Sequence, residues 1–135
     1  ELVFELPCPE HQAMVRLRLA PEDARYAGGL VPGSKAMEIF ADLETELALR
    51  EGGDEGLCAA YHGVEFLEPL RVGDFVHGVA WVENRGRRSR RICAQLFKVL
   101  AVDEHGVLAP LTKPVLAATA TATIVVGTSQ AIEAN

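Results

Sequence analysis

The 135-residue sequence holds few of the side chains that most readily announce chemistry. Its three cysteines, Cys8, Cys58 and Cys93, are odd in number and far apart, with no CxxC spacing. That argues against a disulfide framework, and buried free thiols in a reducing cytoplasm are the expectation. The four histidines, His11, His62, His77 and His105, are equally scattered. None has zinc-ligand spacing to a cysteine or carboxylate, so no metal site is expected. No apolar run reaches about 18 residues and no signal segment is seen, so a soluble, cytoplasmic chain with no membrane partner is expected. The chain opens on Glu1 rather than methionine, and residues upstream are an expectation. Positive charge is short as well. The formal net charge of −6 gives no chain-wide reason to expect nucleic acid as a partner. The stretch GGLVPG at 28–33 is neither GxGxxG nor a P-loop, so nucleotide binding by those routes has no support.

What is present is a core. Hydrophobic residues make up 49% of the chain, which suits one domain over residues 1–135 with its core at about 14–126. Residues 14–19 (MVRLRL) alternate apolar and charged and read as a strand with one solvated face. A glycine-rich, proline-broken loop follows. The periodicity then turns helical from about Ser34, a plausible N-cap, to Arg50, with Ala36, Ile39, Phe40, Leu43 and Leu47 in one stripe. Strand-like runs come next at 58–67, 74–83, 89–102 and 115–126, the second and third joined by the hairpin NRGRR. The last has small residues on one face, suited to close packing against a helix. Strand, long helix, then successive strands predicts an α+β hotdog fold, an antiparallel sheet wrapped around one long central helix.

With Leu43 as the centre of the helical stripe and about 100° per residue, Glu46 lies about 60° to one side and Asp42 about 100° to the same side. Glu44 falls on the opposite flank. Asp42 and Glu46 are thus an i,i+4 pair on one shoulder of the buried face, either solvated charges or a partly desolvated acid–base pair. Gly28, Gly29 and Gly33 either turn the chain into the helix or leave backbone N–H groups free to hold an oxyanion. Five arginines crowd into RGRRSRR at 85–91. On a hairpin these are either a solvated turn or a phosphate-binding patch, since guanidinium forks match phosphate oxygens.

These segments resemble the hotdog-fold β-aminoacyl-CoA ammonia lyases, whose pattern runs D-A-H-Y-x-G-N-L-V-x-G, then G-D-x-x-T-E-L, then Y-x-x-(I/V)-E-F-x-x-P-V-x-x-G-D-F and G-N-x-S. Asp23, Ala24, Tyr26, Gly28, Leu30, Val31 and Gly33 match the first block, and Asp42, Thr45, Glu46 and Leu47 the second. Gly53, Asp54, Leu57, Tyr61, Glu65, Phe66, Pro69, Gly73, Asp74 and Phe75 match further on, with Gly86, Ser89, Lys98 and Val99 at the end. Arg25, Gly29, Arg87 and Thr119 stand where the family has histidine, asparagine, asparagine and arginine.

The resemblance implies reversible loss of ammonia from a 3-aminoacyl-CoA, either 3-aminobutyryl-CoA or β-alanyl-CoA, to give the enoyl-CoA. No cofactor is needed beyond the coenzyme A of the substrate. Asp42 is the expected base for the proton α to the thioester, with Glu46 handling the ammonium and Glu65 a further catalytic candidate. Tyr26, Gly28, Gly29, Leu30, Val31, Gly33 and Tyr61 are expected to contact substrate, and Arg87, Arg88 and Ser89 its phosphates. A homodimer or higher homo-oligomer with active sites between subunits is implied. The alternative is a hotdog acyl-CoA thioesterase, using the same loop and carboxylate to activate water. A non-catalytic acyl-CoA binder is a third reading.

Overall fold

A computed structural model describes residues 11–127. The chain forms β1 (Gln12–Arg18), β2 (Leu30–Val31), α1 (Gly33–Gly52), β3 (Leu57–Phe66), β4 (Leu70–Arg71), β5 (Phe75–Arg85), β6 (Ser89–Val102) and β7 (Leu108–Val125). Five strands make one antiparallel sheet in the order β1-β5-β6-β7-β3, and β2 pairs separately with β4. The helix crosses one face of the large sheet, against β1, β5, β6 and β7. The α+β arrangement expected from the sequence is therefore the one observed. No described helix is long and apolar enough to cross a membrane.

The period-2 pattern decides which face meets the helix. Val76 and Ala80 of β5, Ile92, Ala94 and Leu96 of β6, and Ala118, Ala120, Ala122 and Ile124 of β7 all point inward and are buried. Six of these are alanine or valine, so the floor is shallow and α1 lies close upon it. Ala36, Ile39, Phe40, Leu43, Leu47 and Ala48 fill the space from above. The helix ends at Gly53, whose N–H returns to the Leu49 carbonyl at 3.1 Å.

Two element boundaries and the setting of the thiols stand apart from the sequence reading. The helix starts at Gly33 with Pro32 as its N-cap, so Ser34 lies inside the first turn and caps nothing. The last strand begins at Leu108, seven residues before the expected Val115. Its prolines are tolerated because the register slips there: Val115 faces Lys98 while Pro110 faces Leu100, so the intervening residues bulge. The thiols are free, but Cys58 is exposed and Cys93 half-buried, against the expectation of burial. Cys8 lies outside the described residues.

One buried polar knot joins the two sheets. Asp74 is fully buried. Its Oδ2 accepts from the Arg71 N–H at 2.9 Å and from Lys98 Nζ at 3.1 Å, and its Oδ1 accepts from the Val102 N–H at 2.8 Å. Lys98 Nζ also donates to the Pro69 carbonyl at 2.8 Å. Together they pin β4, and through it β2 and the loop before α1, to the main sheet. Removing one partner of such a pair strands the other charge in the interior. Lys98→Met should therefore cost about 3 kcal/mol in urea unfolding.

Candidate active site between a helix N-terminus and a buried carboxylate

The loop before α1 is held by the main chain. The N–H groups of Arg25 and Tyr26 donate to the Leu30 carbonyl, and the Val72 N–H donates to the Gly29 carbonyl at 2.9 Å. Gly28 and Gly29 both take left-handed angles, φ 77° and 75°, that side chains resist. Leu30 and Val31 then pair with Arg71 and Leu70. The chain thus reaches Pro32 rigidly, and the first N–H groups of α1, at Gly33 and Ser34, have no carbonyl within the helix to meet. Pro32 offers no capping side chain.

In front of that helix end lies an open cleft of about 540 Å³. Tyr26, Val31, Gly33, Phe66, Leu70 and Ala118 are among its walls. Of the residues expected to contact substrate, Tyr26, Val31 and Gly33 line it, while Gly28, Gly29 and Leu30 shape its approach. A Cβ on Gly33 would come 2.7 Å from the Phe66 ring, so a side chain there would have to push that exposed ring aside.

The carboxylates are arranged differently from the expectation. Asp42 is exposed. Glu46, one turn on along the same flank, pairs with Arg50 at 2.9 Å, and Arg50 donates to the Gln12 carbonyl on β1 at 2.6 Å. Through Arg50 that flank meets β1, and neither carboxylate lines the cleft before α1. The buried carboxylate is Glu44, only 2% exposed, on the β3 side. The Tyr61 hydroxyl donates to both of its oxygens, at 2.9 and 3.0 Å. Burial pushes the Glu44 carboxyl up to about 7, and the Tyr61 hydrogen bond opposes this only in part. Burial and the neighbouring Glu44 raise the Tyr61 hydroxyl in turn. A small cavity of about 70 Å³ opens beside Glu44, lined by Thr45, Glu55 and Cys58 among others. Glu65 is exposed, opposite Thr119 on β7, and meets neither Glu44 nor Tyr61.

The arginine hairpin divides in two. Glu51 at the end of α1 takes Arg85 and Arg90, the latter at 3.0 Å, and the Arg85 hydrogen bond holds its carboxyl below the usual range. Arg87 and Arg88 remain exposed at the tip, beside Ser89. Hairpin and cleft sit at opposite ends of the sheet, since Leu57 aligns with Val125 and Ser89, whereas Phe66 aligns with Ala118 and Leu96.

No family model matches the chain. A 3-aminobutyryl-CoA ammonia lyase of Acetoanaerobium sticklandii is 36% identical over 89 residues, covering 66% of this chain and 71% of that one. The β-alanyl-CoA:ammonia lyase of Clostridium propionicum superposes with a TM-score of 0.82 at 30% identity, over 87% of this chain and 86% of its own. The chain belongs to the hotdog-fold β-aminoacyl-CoA ammonia lyases. An acyl-CoA hydrolase of Staphylococcus aureus, solved with butyryl-CoA, coenzyme A and coenzyme A disulfide, gives a TM-score of 0.69 at 22% identity over 87% of this chain and 63% of its own, and shares the fold alone.

Within this ammonia lyase family member, Glu44 is the residue that the sequence reading left aside, although it lies on the flank where the helical wheel put it. Ala48 is fully buried, and adding it to Ala36, Ile39, Phe40, Leu43 and Leu47 moves the centre of the stripe about 30° from Leu43 towards Glu44. The signal lay in Ala48. The ionised Glu44 also has a thermodynamic signature. Its folded-state value of about 7 lies above the ordinary 4.5, so stability falls as pH rises between those values and stays low above them. Glu44→Gln should therefore raise stability at pH 8, by at most about 3 kcal/mol, with the gain fading below pH 5. Thermal unfolding at the two pH values checks it.

Proposed function

We propose that this protein removes ammonia reversibly from a 3-aminoacyl-CoA, of the 3-aminobutyryl or β-alanyl type, to give the enoyl-CoA. The observation that carries the reading is Glu44, a carboxylate desolvated to near neutrality and oriented by Tyr61. A base of that strength suits removal of the proton α to a thioester. The N–H groups of Gly33 and Ser34 are the donors for the thioester oxygen as it gains enolate charge. The base takes the proton from C2, its electron pair forms the C2–C3 double bond, and the C3–N pair leaves with nitrogen as ammonia. Coenzyme A takes part as a portion of the substrate and no resident cofactor is assigned. We place the base at Glu44 rather than Asp42, because Asp42 is solvated on the far flank, and we give Glu46 and Glu65 no catalytic part.

One chain does not supply the whole site. Glu44 lies eleven residues along α1 from Gly33, roughly 16 Å by helical rise. A base and an oxyanion donor serving adjacent carbons need to be within a few ångströms of the same thioester. The hairpin arginines are further still. The edge strand β3 offers the solution. It is ten residues long, mostly exposed, and carries Leu57 (60% exposed) at one end and Phe66 (56%) at the other. An edge of that kind calls for cover. Antiparallel pairing of β3 with its own copy about a two-fold axis near Tyr61 sets Leu57 against the partner's Phe66. The same operation brings Glu44, Arg87, Arg88 and Ser89 of one copy to the cleft of the other. One symmetry step thus supplies both the base and the phosphate-binding arginines. This homodimer, with its sites between subunits, belongs to the proposal.

The test follows the loss of enoyl absorbance when crotonyl-CoA or acryloyl-CoA is incubated with ammonium. Ammonia addition is expected. Release of free coenzyme A from simple acyl-CoAs without any adduct would favour the thioesterase instead. Glu44→Gln should lower kcat by about 10²- to 10⁴-fold, while Asp42→Asn stays near wild type. The acid limb of kcat/KM should fall near pH 7 and move upward in Tyr61→Phe, which removes the hydroxyl that favours the ionised carboxylate. Mixing Glu44→Gln with Gly33→Pro, which removes a main-chain donor at a helix position that accepts proline, should restore the activity each lacks alone, because the mixed dimer holds one intact composite site. No recovery after subunit exchange would refute the shared site.

A further inference from the structure

Resting on the lyase reading, one more charge is required, and the cleft contains it. The positive end of α1 that steadies an enolate oxygen also repels a cation held close to it. The substrate's 3-ammonium group is such a cation, its nitrogen four bonds from that oxygen. A site that binds both needs a negative charge facing the helix end. Besides main-chain groups, the cleft walls offer only three polar side chains, those of Tyr26, Ser34 and Glu68. Glu68 alone carries a formal charge.

Its backbone is firmly set. The N–H groups of Leu67 and Glu68 both donate to the Ala117 carbonyl, at 2.8 and 3.2 Å, and Lys98 grips the next residue through the Pro69 carbonyl at 2.8 Å. Its carboxylate is uncommitted. Lys35 is taken by Asp23 and Glu38, Lys98 by Asp74, and no basic side chain among the described residues pairs with Glu68. By contrast, Glu46 is neutralised by Arg50 at the opposite edge of the molecule.

We infer that Glu68 is the counter-ion for the substrate ammonium and sets the preference for 3-aminoacyl over uncharged acyl thioesters. It holds the ammonium against C3 before elimination and gathers ammonium at the cleft in the reverse direction. The C2 proton passes only to Glu44.

Glu68→Gln separates this role from a structural one, because its side chain holds nothing else in place. The variant should fold and melt as the wild type does. Its KM for 3-aminobutyryl-CoA, and for ammonium in the reverse reaction, should rise about tenfold or more, while KM for crotonyl-CoA, which has no positive charge, changes less than about twofold. Glu68→Asp should recover part of the loss. An equal change in all three constants, or no change in any, overturns the assignment of Glu68 while leaving the lyase reading intact. A wild-type protein that neither adds nor releases ammonia overturns both.

Discussion

Helix α1 lies low over a floor of small side chains, and most of the functional geometry follows from that close approach. Ala80, Ala94, Ala118, Ala120 and Ala122 let the helix sink until its flank, and not only its apolar stripe, is enclosed. Glu44 is drawn under cover with it. A carboxylate in that position loses water it would otherwise keep, and the single hydroxyl of Tyr61 replaces only part of that solvation. Larger residues on the floor would lift the helix and return Glu44 to solvent. Packing and acidity are here one property seen at two scales.

A second constraint is distance. The polar end of α1 and the buried carboxylate are separated by about three turns of helix, and the arginine tip lies beyond the far end of the sheet. No side-chain motion spans such gaps. In the proposed dimer a second copy covers the open edge of β3, and a two-fold axis exchanges its ends. The Asp74–Lys98 knot holds the glycine loop to the sheet, so the proposed partner meets a fixed target.

Much of this was legible in the residues. Alternation in β5 and β6 and the 3.6-residue period of α1 are repetitive signals, and the order of elements followed from them. The two-residue strands β2 and β4 were not legible, because two residues carry no period. The start of β7 was hidden by Pro110 and Pro114, which read as breaks although a bulge accommodates them. Asp42 was favoured over Glu44 on the family resemblance, and the stripe as drawn stopped at Leu47, short of the buried Ala48 that turns it towards Glu44. Near the cleft, Gly28 and Gly29 were legible because the turn needs left-handed angles, whereas Gly33 matters only for the space beside Phe66. Glu68 gave no signal at all, since one glutamate in a turn looks like any other until the cleft is seen around it. The five arginines read as one patch, yet Glu51 removes two of them by a contact from a distant element.

The acidity of Glu44 bears on the direction of flow. A side chain balanced near neutrality takes a proton from water about as readily as it surrenders one, so its acid and base forms are both well populated near pH 7. In the proposed reaction, deamination starts from the base form and amination from the acid form, and neither is scarce. Net flux in that reaction follows the relative supply of ammonium and unsaturated thioester.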